Sequence, residues 1–185
     1  GLVNQLDVSP DGSIIAAATD AAALRLWSTA AGGPELATIT VDDAALYGIS
    51  FGPDGTRIAA GGDAGRLEVW SLGDPTHPTP VAVADAEMGT TIYGVAFGAG
   101  GSLLAAAAAD GVVRLWHAEG EGYTLVATIQ AFEGTAQSVV LSQDGRLLAA
   151  GGSDGVARLW DLTDPAVPVL LADGGPSVGS TLTSL

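Results

Sequence analysis

The chain has 185 residues, 48% of them apolar and 5% aromatic, enough for one domain whose core draws heavily on alanine. Its formal net charge is −15, all six basic residues are arginines and lysine is absent, a balance that argues against nucleic acid and anionic membrane as partners. The lack of cysteine excludes a disulfide framework and a thiolate metal site, and no stretch reaches the roughly 18 apolar residues of a spanning helix.

In chain order, the first alternating run is Leu6-Asp7-Val8, and it leads into the turn Ser9-Pro10-Asp11-Gly12. Proline presets φ at the second turn position and glycine closes the turn where φ is positive, so the next run, Ile14 to Ala18, is expected to return antiparallel. That run is small and apolar throughout, as in a strand buried on both faces. A tight turn at Thr19-Asp20-Ala21 leads to Leu24-Arg25-Leu26-Trp27, and a looser run spans Leu36 to Thr40.

The same series then repeats. The second unit reads Ile49-Ser50-Phe51, Gly52-Pro53-Asp54-Gly55, Arg57 to Ala60, Asp63-Ala64-Gly65, Leu67-Glu68-Val69-Trp70 and Val81 to Ala84. The third reads Val95-Ala96-Phe97, Gly98-Ala99-Gly100-Gly101, Leu103 to Ala107, Asp110-Gly111, Val113-Arg114-Leu115-Trp116 and Leu125 to Ile129. The fourth reads Val139-Val140-Leu141, Ser142-Gln143-Asp144-Gly145, Leu147 to Ala150, Asp154-Gly155, Ala157-Arg158-Leu159-Trp160 and Val169 to Ala172. Trp27, Trp70, Trp116 and Trp160 lie 43, 46 and 44 residues apart, yet each stands 15 residues after its turn glycine, Gly12, Gly55, Gly101 or Gly145. A fixed interval inside a variable one means rigid units joined by loops of varying length.

These features predict an all-β chain of four-stranded antiparallel meanders with no helix. One such sheet cannot bury two apolar faces, but sheets stacked around an axis can, which is a β-propeller. The units fall at about 1–40, 41–84, 85–129 and 130–172. Residues 173–185 read as the start of a fifth, because Leu185 aligns with Ile49 and Val139. The chain begins without methionine in a strand-like run, so it reads as a piece of something longer, four blades of a partial ring.

The units resemble WD40 repeats, with a pattern of S-P-D-G, a small apolar stretch, D-G, and V-R-L-W-D. Only Trp160-Asp161 is a literal Trp-Asp pair; the other units have Trp27-Ser28, Trp70-Ser71 and Trp116-His117. The Gly-His pair that opens many family repeats is missing. The family's Ser/Thr position reads Thr19, Gly62, Ala108 and Gly152, so the resemblance implies blades held more by apolar packing than by the family's buried polar network. The wording L-W-D-L-T-D-P resembles repeats of large bacterial multidomain proteins, where they follow a signalling ATPase or kinase module.

No catalytic constellation emerges. His77 and His117 stand apart, in or near the loop after the third run, with neither H-x-H nor H-E-x-x-H spacing, and no cofactor or metal is implied. Repeated Asp20, Asp63, Asp110 and Asp154 read as turn formers rather than calcium ligands, and the repeated tryptophans as packing elements rather than an aromatic cage. In a propeller the loops before the first strand and between the second and third share one end. Asp42, Asp43, Asp85, Glu87 and Glu133 join the four repeated aspartates there, an acidic face that would suit a basic partner.

The resulting expectation is a cytoplasmic, non-enzymatic protein–protein interaction scaffold. Its partners would be a protein or peptide, basic in the electrostatic version, and the remaining blades of the same propeller. Two alternatives are a regulatory arm of a signalling ATPase or kinase, and a propeller enzyme or small-ligand binder using the central channel. First-strand residues offered to such a channel are Asn4, Asp7, Ser50, Gln137 and Ser138.

Overall fold

The computed structural model describes residues 1–41, 45–83 and 88–174. The strands are β1 (Val3–Val8), β2 (Ile14–Thr19), β3 (Ala23–Ser28), β4 (Glu35–Thr40), β5 (Leu46–Phe51), β6 (Arg57–Gly62), β7 (Glu68–Ser71) and β8 (Thr79–Val81). They continue as β9 (Ile92–Gly98), β10 (Leu103–Ala108), β11 (Val112–Glu119), β12 (Gly122–Gln130), β13 (Ala136–Leu141), β14 (Leu147–Gly152), β15 (Ala157–Asp161) and β16 (Val169–Asp173). Each consecutive set of four forms one antiparallel meander, giving four four-stranded sheets. The only helical turn among the described residues is a short 3-10 segment at Ala99–Gly101, where the turn of the third unit has lost both its proline and its aspartate. Of the expected start of a fifth unit at 173–185, Asp173 ends β16 of the fourth sheet and 175–185 lie outside the described residues.

The first hairpin of each sheet closes as its turn chemistry requires. The turn glycines have φ of 72°, 71°, 87° and 69° at Gly12, Gly55, Gly101 and Gly145. Ser9 Oγ donates to Asp11 at 2.7 Å and accepts from Ile14 N at 2.9 Å; Ser142 repeats this with Asp144 at 2.6 Å and Leu147 N at 3.0 Å. Donation from Ser9 and from both the backbone and hydroxyl of Ser13 holds the Asp11 carboxyl at about 2.

The second tight turn carries one strained residue. Ten positions after the turn glycine, three units place Gly65, Gly111 and Gly155, with φ of 65°, 76° and 76°, while the first unit places Ala22 at φ 55°. A left-handed L-residue costs roughly 1–2 kcal/mol, and a glycine there gives back about 0.4–1 kcal/mol through greater freedom of the unfolded chain. Ala22→Gly is therefore expected to stabilise the protein by about 0.5–1 kcal/mol, read as a raised urea midpoint at unchanged m-value.

Packing occurs between sheets and follows one rule. Sheets one and two bury Ala16, Leu24 and Leu26 against Ile49, Phe51, Ile58 and Trp70. Sheets two and three bury Ala59, Leu67 and Val69 against Val95, Phe97, Leu104 and Trp116. Sheets three and four bury Leu103, Ala105, Val113 and Leu115 against Val139, Leu148, Ala150 and Trp160. Each sheet thus presents a trailing face, rich in aliphatic side chains from its second and third strands. Its leading face carries the tryptophan. Alternation along each strand assigns residues to the two faces, because successive side chains point to opposite sides.

Trp70, Trp116 and Trp160 are 5%, 0% and 4% exposed, whereas Trp27 is only half-buried. The four tryptophans share one register, and among the described residues Trp27 is the least covered of them. Among the described residues no hydrophobic cluster joins sheets one and four or covers the leading face of sheet one. There the Arg25 guanidinium lies 5.0 Å from the Trp27 ring centre. The ring of sheets is open.

Candidate functional site

The first strands of all four sheets converge on a groove of about 510 Å³ lined by β1, β5, β9 and β13. Each of these strands carries a β-bulge at the same place. The pairing skips Asn4, Tyr47, Tyr93 and Gln137, each eight residues before its turn glycine. A bulge leaves one residue unpaired and re-aims its side chain. The four bulged side chains all line the groove. Tyr47 and Tyr93 stand with ring centres 5.8 Å apart. Donation to Asp63 Oδ2 at 3.1 Å, and then burial, push the Tyr47 phenol above its ordinary pKa.

Below this rim, first-strand side chains bond the backbone of the next sheet. Asn4 Nδ2 donates to Leu46 O at 2.8 Å. Gln5 donates to Ile49 O at 3.2 Å and accepts from Ile49 N at 2.9 Å, so its amide acts as a short extra strand. Asp7 accepts from Phe51 N at 2.8 Å, and Ser50 Oγ accepts from Phe97 N at 3.1 Å. Further round, glycine does the same work by proximity: a Cβ at Gly48 would lie 3.0 Å from Gly94, and one at Gly94 would lie 3.1 Å from Ser138. Asn4, Asp7 and Ser50, offered from sequence as channel residues, are thus engaged in joining sheets. Ser138 Oγ is buried and has no hydrogen-bond partner.

The loops before β5, β9 and β13 each meet the turn between the second and third strands of the preceding sheet, which places both at one end of the sheets. Val41 N donates to Ala22 O, Met88 N to Gly65 O and Phe132 N to Gly111 O. Exposed Glu133 belongs to this end. Asp42, Asp43, Asp85 and Glu87 lie outside the described residues. The repeated aspartates, read from sequence as one position, are two. Asp20 and Asp63 follow the turn glycine by eight residues, and their backbone N–H groups bond Leu2 O and Ala45 O; Ala109 and Ser153 fill that place in the other units. Asp110 and Asp154 come one residue later.

The two positions differ in chemistry. Asp110 accepts from Val112 N at 3.0 Å and pairs with Arg114 at 2.7 Å. Asp154 accepts from Val156 N at 3.0 Å and pairs with Arg158 at 2.8 Å. Burial raises the Asp154 carboxyl, but Arg158 and the Val156 N–H outweigh it and leave the net below the ordinary range. These two aspartates are neutralised locally. Asp63 instead accepts from neutral donors, Tyr47 OH and Thr91 Oγ1, beside the bulged tyrosines.

His77 is exposed in the loop after β7, with Nδ1 3.0 Å from Asp74 Oδ2, while His117 is exposed within β11 rather than in a loop. Among the described residues no three His, Cys, Asp or Glu side chains cluster as a metal site would require. Sequence reasoning missed Tyr47 and Tyr93. Their signal was positional: they share with Asn4 and Gln137 a fixed distance to the turn glycine, but no residue type.

Residues 33–71, 80–117 and 123–161 each match the family model described as WD domain, G-beta repeat. The chain belongs to the WD40 repeat family. WD40 repeats generally serve as protein-interaction scaffolds. No curated protein matches the chain. Each WD40 match begins near the fourth strand of one sheet and runs through the third strand of the next: 33–71 takes in β4 to β7, and 123–161 most of β12 and then β13 to β15. A WD40 repeat and a sheet are therefore offset by one strand.

Proposed function

We propose that this chain is one arc of a larger WD40 propeller and a non-catalytic scaffold that holds a protein or peptide at the mouth of the channel. Units of about 1–40, 41–84, 85–129 and 130–172 would be its blades. The observation that carries the reading is the bulge repeated in all four first strands, which sets Asn4, Tyr47, Tyr93 and Gln137 around one opening. Tyrosine offers large, rigid contact area with a hydrogen-bonding end, a combination enriched at interfaces. Exposed Asp20, Asp63 and Glu133 near the same end, in a chain of net charge −15, favour a basic partner.

An array of basic peptides probed with the chain tests this. Binding is expected to weaken as ionic strength rises. Tyr47→Ala combined with Tyr93→Ala is expected to lower affinity about tenfold or more at unchanged fold. Peptides that bind the double variant as well as the parent would overturn the reading. Binding insensitive to salt would remove its electrostatic part.

A further inference from the structure

The chain holds four half-buried arginines, and three of them are neutralised inside the fold. Arg25 pairs with Glu35 at 2.6 Å, Arg114 with Asp110 at 2.7 Å, and Arg158 with Asp154 at 2.8 Å and Asp173 at 2.9 Å. The fourth, Arg57, has no carboxylate within ion-pair distance among the described residues. Its place in the repeat is also an exception. Two residues after the turn glycine the other units carry Ile14, Leu103 and Leu147. Alternation along β6 puts Arg57 on the face of Ala59, which packs against sheet three. A charge at a position built for an aliphatic side chain loses hydration and calls for a counter-charge.

The surroundings fix the guanidinium and leave room beside it. Its Nη1 donates to the Tyr123 hydroxyl at 2.9 Å, and its central carbon lies 5.4 Å from the centre of that ring. Tyr123 is 2% exposed and donates in turn to Gly101 O at 2.7 Å, so the arginine rests on a fixed base. Next to it lies a cleft of about 250 Å³ between sheets two and three, at the end that carries the turn glycines. Gly100, Gly101 and Gly120 line it, and a Cβ at Gly100 or Gly120 would meet nothing within 4 Å. Gly100 stands where the other turns carry Asp11, Asp54 and Asp144, so this wall lacks the carboxylate that they have.

We propose that this cleft binds a small monocarboxylate, whose oxygens accept from the Arg57 N–H groups that Tyr123 does not use. A planar guanidinium matches a carboxylate in two parallel hydrogen bonds. The volume suits a ligand of few heavy atoms, smaller than those that fill pockets of roughly 300–1,000 Å³. A doubly charged oxyanion is disfavoured because Asp54 lines the same cleft. Burial raises the Asp54 carboxyl, but the N–H and hydroxyl of Thr56 outweigh it and leave the net below the ordinary range, so one negative charge is already present. The site is separate from the mouth described above, because the bulged residues and the turn glycines lie at opposite ends of the first strands.

Titration of the full chain with sodium acetate, against sodium chloride at matched ionic strength and followed by proton–nitrogen NMR, tests the site. Saturable shifts are expected at the Arg57 Nε–H and at the amides of Gly100, Gly101 and Gly120, half-complete on the order of 10 mM. Chloride is expected to produce none of them. Arg57→Leu places at this position the aliphatic side chain of the other units, so its far-UV circular dichroism should match that of the parent. Its glycine amides are expected to lose the acetate response.

Shifts that never saturate, that chloride reproduces or that survive in Arg57→Leu overturn the proposal. Inorganic phosphate that binds more tightly than acetate overturns the monocarboxylate class. Should Arg57→Leu fail to fold, the response of the Arg57 Nε–H in the parent chain still decides. None of these outcomes bears on the peptide-array test at the mouth.

Discussion

Trp116→Ala is expected to lower the unfolding free energy by about 3–5 kcal/mol, while Trp27→Ala costs about 1 kcal/mol or less. Both tryptophans stand 15 residues after a turn glycine, on the third strand of a sheet. They differ in what lies above them. Trp116 is 0% exposed, packed in the cluster with Leu67, Val69 and Leu104 between sheets two and three. Its truncation removes buried area and leaves a cavity that two stacked sheets close only in part. Trp27 lies beside Arg25 and, among the described residues, no other sheet packs over it. Urea unfolding followed by far-UV circular dichroism gives the comparison. Equal losses would show that the tryptophan acts within its own sheet and that the stacking rule is wrong.

The second large effect concerns Gly62. The family's usual Ser or Thr at this position suggests that restoring it should help, as Thr19 does in sheet one by donating to Ala23 O at 2.8 Å. The opposite is expected. A Cβ at Gly62 would lie 1.9 Å from Ala45 O, a backbone atom that cannot swing aside. Gly62→Thr should destabilise by about 2–3 kcal/mol through overpacking. A neutral or stabilising Gly62→Thr, read from urea midpoints, would show that the loop entering β5 yields easily. The glycine is thus a consequence of how closely that loop approaches β6.

Much of the fold was legible because it is written in local chemistry that repeats. The Ser-Pro-Asp-Gly turn and the fixed interval to Trp fix a hairpin and a third strand without reference to anything distant. The features that escaped depend on neighbours. Whether Trp27 is buried is decided by a sheet that precedes it, not by its own flanking residues. The aspartates looked like one position because all four stand in the same turn, yet Asp20 and Asp63 follow the turn glycine by 8 residues and Asp110 and Asp154 by 9, and the backbone partners of Asp63 and Ser153 give that difference its structural meaning. The bulged residues escaped because a bulge constrains the backbone and leaves the side chain free. Asn, Tyr, Tyr and Gln share no pattern that periodicity could detect.

The one-strand offset between WD40 repeat and sheet has a consequence for how the molecule comes apart. In a solenoid whose repeats coincide with its structural units, an end unit can fray and leave its neighbour whole. Here, melting the repeat at 123–161 would strip β12 from the outer edge of the third sheet as well as dismantling β13 to β15. That edge loss exposes the backbone of β11 and the rim of the cluster holding Trp116. Every boundary between repeats is thus a stitch inside a sheet. Hydrogen exchange should therefore slow in blocks that overlap between neighbouring repeats, with β11 protected only as long as the chain beyond it stays folded.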